Sequence, residues 1–225
     1  MEQNQGYSFA IKFFNQHNAS SYDTLVKIAT LGQDYYWKKK ISNKISNKGL
    51  VLDMACGTGI LSSLISKKGC NVIGIDLTYD YLKILKAKRS DYFCINGLAE
   101  FLPFKESYFD FIISSYLPKY SDLVFLVDEC YRVLKSGGIV VFHDFIYPIR
   151  PLFQELWKIY FKILKLVGGK FFKNWDKVFN ELDLLILKSN WYDALPHLLI
   201  DKGFREVISE TITFETSAIV SAKKP

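Results

Sequence analysis

Cysteine, methionine, histidine and proline are all scarce in this 225-residue chain, at four, two, three and six residues. No two of Cys56, Cys70, Cys94 and Cys130 form a C-x-x-C pair, which argues against a disulfide framework and a structural zinc site. No other ligand cluster suggests a metal, and a reducing cytoplasm is the expected compartment. No segment approaches the roughly 18 uncharged apolar residues of a membrane span. The opening residues, MEQNQGYSFAIKFFNQHNASSYD, lack the basic-then-apolar order of a secretory signal. Charge of one sign is scarce too. The 29 Lys and Arg exceed the 23 Asp and Glu by only +6, short of the clustered basic stripe of a nucleic-acid binder.

Aromatic residues are abundant, at 16%, with 18 Phe and 14 Tyr. They suit either a pocket for something flat or greasy or simply an aromatic core. With 49% hydrophobic residues the chain can bury a sizeable core. The expected organisation is a single domain over residues 1–225, with a helical segment at 1–46, a core at 47–146 and 191–225, and a helical cap at 147–190.

The hydrophobic period alternates along the chain. Tyr22 to Ile45 reads as helical with Leu25, Ile28, Leu31 and Tyr35 on one face. GLVLDMA is a short apolar run ending at glycines, as a buried parallel strand does. Helices are predicted over Thr58–Lys68, Tyr79–Arg89 and Asp122–Leu134, and strands over Asn71–Asp76, Tyr92–Asn96, Tyr108–Ser115 and Ile139–Phe145. That alternation implies right-handed crossovers and a doubly wound, Rossmann-like α/β sheet. Leu152 to Val167 reads as an inserted cap helix with a polar stripe of Glu155, Lys158, Lys162 and Lys165. A helix over Trp191–Lys202 stops at Gly203. The strands Arg205–Thr211 and Phe214–Lys223 are so close in sequence that they must pair as an antiparallel hairpin. A seven-stranded, mostly parallel sheet ending in a hairpin is the expected fold.

The strongest chemical signal is Val51-Leu52-Asp53-Met54-Ala55-Cys56-Gly57-Thr58-Gly59, followed by Gly74-Ile75-Asp76 at the end of the next strand. A dinucleotide loop reads G-x-G-x-x-G and seats a pyrophosphate on the helix N-terminus. Here Ser62 takes the third glycine position, and Asp53 would stand beside the pyrophosphate. Two such anions repel by about 4 kcal/mol at ~4 Å and an effective dielectric of about 20. S-adenosylmethionine carries a sulfonium and an ammonium but no phosphate, so it suits this loop better. Gly57 and Gly59 would let the backbone approach it, Asp53 would offset its ammonium, and Asp76 would accept from the ribose hydroxyls.

These motifs resemble the class I S-adenosylmethionine-dependent methyltransferases. The run Gly97-Leu98-Ala99-Glu100-Phe101-Leu102-Pro103-Phe104, then Tyr108-Phe109-Asp110 and Glu129-Cys130-Tyr131-Arg132-Val133-Leu134-Lys135-Ser136-Gly137-Gly138, narrows the resemblance to the ubiquinone/menaquinone biosynthesis C-methyltransferases. It extends from about Tyr22 to Lys223. It implies that Ala99 presents its backbone amide to the adenine and that Tyr22 touches the cofactor's amino acid end. Ala55, Leu77 and Ser115 complete the implied cofactor site. Leu98 stands where the family usually has Asp or Asn, so adenine must be held there by backbone and apolar contact, or less tightly.

A second departure bears on the acceptor. The family's Leu-Arg-Asn element after the fourth strand is replaced by Ser115-Tyr116-Leu117-Pro118-Lys119-Tyr120. Lys119 could restore the lost charge, although its ammonium does not reproduce a planar guanidinium. Candidate groups for handling the acceptor are His143 and Asp144 at the end of the fifth strand, with Lys119, Tyr22 and Tyr147. The expected activity is methyl transfer to a small hydrophobic acceptor, first a prenylated quinol at carbon. The alternatives are N- or O-methylation of a lipid or other small metabolite, and a non-catalytic cofactor-binding module. The cap's lysine stripe and its Trp157, Tyr160, Phe171, Phe172 and Trp175 fit either a lid packed on the core or a surface against anionic lipid headgroups. A monomer or homodimer is expected.

Overall fold

The computed structural model describes residues 4–225. Four helices come first: α1 (Asn4–Phe13), α2 (Gln16–Ala19), α3 (Tyr22–Ala29) and α4 (Gln33–Asn43). The core follows as β1 (Leu50–Met54), α5 (Ile60–Ser66), β2 (Asn71–Asp76), α6 (Tyr79–Lys88), β3 (Phe93–Asn96), β4 (Phe109–Ser115), α7 (Leu123–Val133) and β5 (Leu134–Phe145). The cap comprises α8 (Pro151–Phe171) and α9 (Asp176–Lys188), and the chain ends in α10 (Trp191–Lys202), β6 (Arg205–Ile212) and β7 (Ser217–Lys223).

The seven strands form one sheet in the order β3-β2-β1-β4-β5-β7-β6. Pairs among β1 to β5 are parallel, and β7 runs antiparallel to both β5 and β6. The order reverses beside β1, because β2 lies on one side of it and β4 on the other. In an open α/β sheet this opens a crevice at the carboxyl ends of the strands. The central strands are apolar on both faces because helices cover both: α7 and α10 pack with one cluster around Leu52, Phe109, Phe142 and Trp191, and α4, α5 and α6 with another around Ile41, Ile65 and Ile113.

Several expectations are corrected. The predicted helix from Tyr22 to Ile45 is two helices, broken where Leu31 and Gly32 take φ of 51° and 78°. The Gly32 amide closes the end of α3 on the Lys27 carbonyl at 2.8 Å, in the left-handed cap that glycine favours. Of the four residues expected on one face, Leu25 is buried, whereas Ile28, Leu31 and Tyr35 are exposed. The fifth strand begins at Leu134, since that residue already pairs with Phe109 before a register shift. The last strand begins at Ser217, because Thr213, Phe214 and Glu215 adopt φ of 48°, 54° and 59° in the connection. The cap has a second helix, α9, whose Val178, Phe179 and Leu185 join Phe13, Leu25 and Trp175 in a cluster that ties the cap to the N-terminal helices.

Candidate active site

Two cavities meet at the carboxyl ends of the strands. The smaller follows the loop after β1 and the ends of β2 and β4, and its wall includes Ala55, Gly57, Asp76, Leu77, Ala99 and Ser115. The larger, about 840 Å³, lies between the N-terminal helices and the cap. Its wall is mainly apolar and includes Trp37, Trp157, Phe161, Leu164 and Phe179. Phe14, Tyr22, Tyr116 and Tyr120 belong to both walls, so an aromatic septum separates the two spaces. The septum is held edge to face: Phe14 packs on Tyr22 and Tyr120 with ring centroids 6.2 and 5.7 Å apart.

Asp76 ends β2 with its carboxylate tied down. One oxygen accepts the Gly57 amide at 2.8 Å and the other the Thr78 amide at 2.7 Å. Burial nevertheless raises its pKa to about 6, partly offset by those backbone donors. Gly57 takes φ of 53°, and a Cβ there would meet nothing nearer than the Tyr81 ring at 3.8 Å, so the loop faces open space. Leu98 and Ala99 close the far end with an apolar surface. A carboxylate for hydroxyls, an open loop and an apolar slot fit the ribose and adenine of S-adenosylmethionine.

Other predicted site residues lie elsewhere. Asp53 is not on the cavity wall; it is buried beneath the loop, where it accepts a hydrogen bond from Ser62 Oγ at 2.5 Å. Burial pushes its pKa up to about 7, against the opposing effects of Ser62 and Lys38. Ser62 is thus the partner of Asp53 as well as a missing glycine. Gly59 faces α6 instead of the cavity, since a Cβ there would lie 2.0 Å from Leu85 Cδ1 and φ is 82°. Its role in the structure is close packing.

His143 is sealed. Its Nδ1 lies 2.9 Å from Ser115 Oγ and its Nε2 2.7 Å from Ser217 Oγ. Burial first, then the Lys38 and Lys119 charges, hold its pKa well below the ordinary value. A neutral imidazole with both nitrogens engaged cannot reach a ligand, and it instead orients Ser115. Asp144 is fully buried and bonds Lys119 through both the ammonium, at 2.5 Å, and the backbone amide, at 3.1 Å. Burial lowers the Lys119 pKa and raises that of Asp144, each opposed by the other's charge. Lys119 lies on the wall of the larger cavity and sits 4.3 Å from the centre of the Tyr120 ring. Tyr147 packs against Trp157 with centroids 5.1 Å apart.

Sequence reasoning missed Tyr116 and its support. Its φ is 71°, a conformation that a bulky residue holds only where its surroundings impose it. Its hydroxyl donates to Asp34 at 2.9 Å, and Asp34 is paired with the buried Lys38. Phe145 stacks on the ring at 4.9 Å. The tyrosine is legible in the sequence, but its backbone conformation and distant partners are not.

A sequence profile of the ubiE/COQ5 methyltransferase family matches residues 4–224. The chain belongs to the ubiE/COQ5 methyltransferase family. It is an S-adenosylmethionine-dependent methyltransferase, as the motifs implied. Its relatives include the demethylmenaquinone methyltransferase of Chlorobaculum parvum, 30% identical over 215 residues, with 92% of this chain and 89% of the relative covered. The enzyme of the same name from Staphylococcus epidermidis is 28% identical over 229 residues, covering 97% and 95%. Among solved structures, an S-adenosylmethionine-dependent methyltransferase from Archaeoglobus fulgidus shares the fold with a TM-score of 0.64 at 19% identity, covering 90% of this chain and all of that one (100%). A Haemonchus contortus phosphoethanolamine N-methyltransferase, solved with S-adenosylhomocysteine, has a TM-score of 0.61 at 15% identity, covering 84% and 52%.

Proposed function

We propose that this enzyme methylates a ring carbon of a prenylated quinol. The observation that carries this reading is the aromatic septum: a cofactor cleft and a large apolar cavity share Phe14, Tyr22, Tyr116 and Tyr120. The two named relatives are demethylmenaquinone methyltransferases, which supports an acceptor of this class.

When bound, S-adenosylmethionine supplies an electrophilic methyl carbon on a sulfonium. Asp76 and Leu77 hold the ribose, Leu98 and Ala99 the adenine, and Ala55, Gly57, Ser115 and Tyr22 the amino acid end. Asp53 and Gly59 act indirectly, by fixing the loop from beneath and by letting α5 pack on α6. A quinol ring slides along the septum with its tail in the larger cavity. Displacement at an activated methyl group depends mainly on alignment and dryness, and flat aromatic walls supply both. Lys119, its side chain 1% exposed and held by Asp144, sets its positive charge just behind the wall of the larger cavity, close to an oxygen of the acceptor. That charge favours the ionised quinol, whose ring carbon takes the methyl group as the methyl's bond to sulfur breaks, and the proton on that carbon then passes by way of solvent to the ring oxygen as the ring regains aromaticity. His143 steadies the floor through Ser115.

The chain works as one domain, with the 147–190 cap closing its acceptor side. Among the described residues no helix is long and apolar enough to cross a membrane. We place the enzyme in the cytoplasm, meeting the membrane surface peripherally to take up its acceptor. Asp76→Ala tests the cofactor half: S-adenosylmethionine affinity should fall by roughly 1 to 3 kcal/mol as the ribose loses a charged acceptor. Unchanged affinity in a folded variant would place the ribose elsewhere.

A further inference from the structure

α8 carries two apolar faces. Trp157 and Phe161 turn inward onto the larger cavity. Leu152, Leu156, Ile159, Ile163 and Leu166 recur at steps of three and four along the opposite side and are between 52% and 70% exposed. The aromatic residues expected to face lipid do not form this surface: Trp157 and Trp175 are buried, and Tyr160 bonds the Ala29 carbonyl. Of that group Phe171 is well exposed, at 70%. The outward face is thus an aliphatic stripe on a 21-residue helix, about 32 Å long at 1.5 Å per residue.

Two observations identify what covers it. The first is continuity with the cavity mouth: Leu156, together with exposed Leu31 and Phe214, is part of the larger cavity's wall. Apolar surface therefore runs without interruption from the outside of α8 into the acceptor space. The second is charge. α8 has four lysines against one glutamate. Glu155 is paired with Lys158, and Lys165 with Asp183, while Lys162 and Lys170 have no acidic partner among the described residues. Aliphatic residues flanked by unneutralised lysines suit the boundary between acyl chains and anionic headgroups. Two copies packed stripe to stripe would bring like charges together.

We propose that α8 lies in the surface of an anionic phospholipid bilayer and opens the acceptor cavity directly onto it. This rests on the reading of a prenylated acceptor, which would then pass from the bilayer into the cavity without crossing water. The occupant is the bilayer itself, and the cap is a docking element as well as a lid.

The test is co-sedimentation of the full chain with quinol-free vesicles of equimolar phosphatidylcholine and phosphatidylglycerol, compared with phosphatidylcholine alone. The wild type should partition onto the anionic vesicles, less onto neutral ones, and less at high salt. Ile159→Glu with Ile163→Glu alters two stripe residues that are not on the cavity wall. It should lower the partition coefficient at least about tenfold by forcing charge toward the acyl boundary. S-adenosylmethionine binding and turnover of a tailless quinol should remain at wild-type levels. Lys162→Glu with Lys170→Glu should abolish the preference for anionic vesicles. Equal partitioning of the wild type and the isoleucine variant, or no binding by the wild type, would overturn the proposal. So would a wild-type dimer that dissociates in the isoleucine variant without any vesicle binding. Turnover of a tailed quinol in detergent micelles examines the acceptor separately, so vesicle binding without that activity would refute the quinol and leave the docking face standing.

Discussion

Asp53 makes the stability of this protein depend on pH in an unusual direction. Burial raises its pKa to about 7 in the folded chain, whereas an unfolded Asp titrates near 3.9. The folded state therefore binds the proton more tightly. The stabilisation is complete below the unfolded value and is lost as pH rises through about 7. Between about pH 5 and about pH 8 the folded protein should lose roughly 2 to 3 kcal/mol from this group alone. Asp76, raised to about 6, adds a smaller loss of the same sign. Carboxylates held below their ordinary range, such as Asp110, which accepts the Leu50 amide and pairs with Lys135, and Glu129 beside Arg132, act at more acid pH and leave this window alone. Asp53→Asn mimics the protonated side chain and can still accept from Ser62. His143, held neutral by burial, acts in the opposite sense, because an unfolded imidazole binds a proton at pH 5 and has lost it by pH 8. The test is therefore the difference between the two proteins: in urea unfolding at both pH values the change in stability from pH 5 to pH 8 should be more negative for the wild type than for Asp53→Asn by most of that amount. Parallel slopes would refute the assignment of a protonated Asp53 beneath the loop.

Gly59→Ala should destabilise by roughly 1 to 3 kcal/mol, because its Cβ enters the space of Leu85 at a left-handed backbone position; Gly57→Ala, with open space around it, should cost less on the same thermal scale. Lys119→Met leaves the Asp144 carboxyl unpaired in the core, and urea midpoints should report about 3 to 5 kcal/mol lost. Lys119→Met with Asp144→Leu should recover much of it, and failure to recover would mean the pair is not a closed unit. Trp157→Ser with Phe161→Ser should raise KM for tailed quinols far more than for tailless ones while kcat changes little; equal effects on both would favour a small-metabolite acceptor, with the cap serving only to exclude water.

Local chemistry was legible along the chain, and contacts across it were less so. The glycine loop and Asp76 announced the cofactor cleft because a strand, a turn and a helix N-terminus follow one another within a few residues. The sheet ending in a hairpin was readable because the connection between β6 and β7 is too short for any other geometry. By contrast, Ser62 reads as a lost glycine until Asp53 is seen beneath it, nine positions earlier in sequence. His143 reads as a candidate base until Ser217, from β7, is brought against its second nitrogen. The break between α3 and α4 was hidden because a leucine, Leu31, takes the left-handed conformation beside Gly32. The same break carries Leu31 from an expected buried face to the rim of the acceptor cavity.

The central claim is that the space beyond the septum receives a lipophilic quinol whose carbon takes a methyl group. Incubating the enzyme with methyl-labelled S-adenosylmethionine and a series of quinols that differ only in prenyl length, followed by mass spectrometry of the products, examines it most directly. The account predicts one label per molecule on a ring carbon, with kcat/KM rising with tail length as apolar area leaves water at about 25 cal/mol per Å². Label on oxygen, or no transfer to any quinol by an enzyme that binds the cofactor, would contradict it.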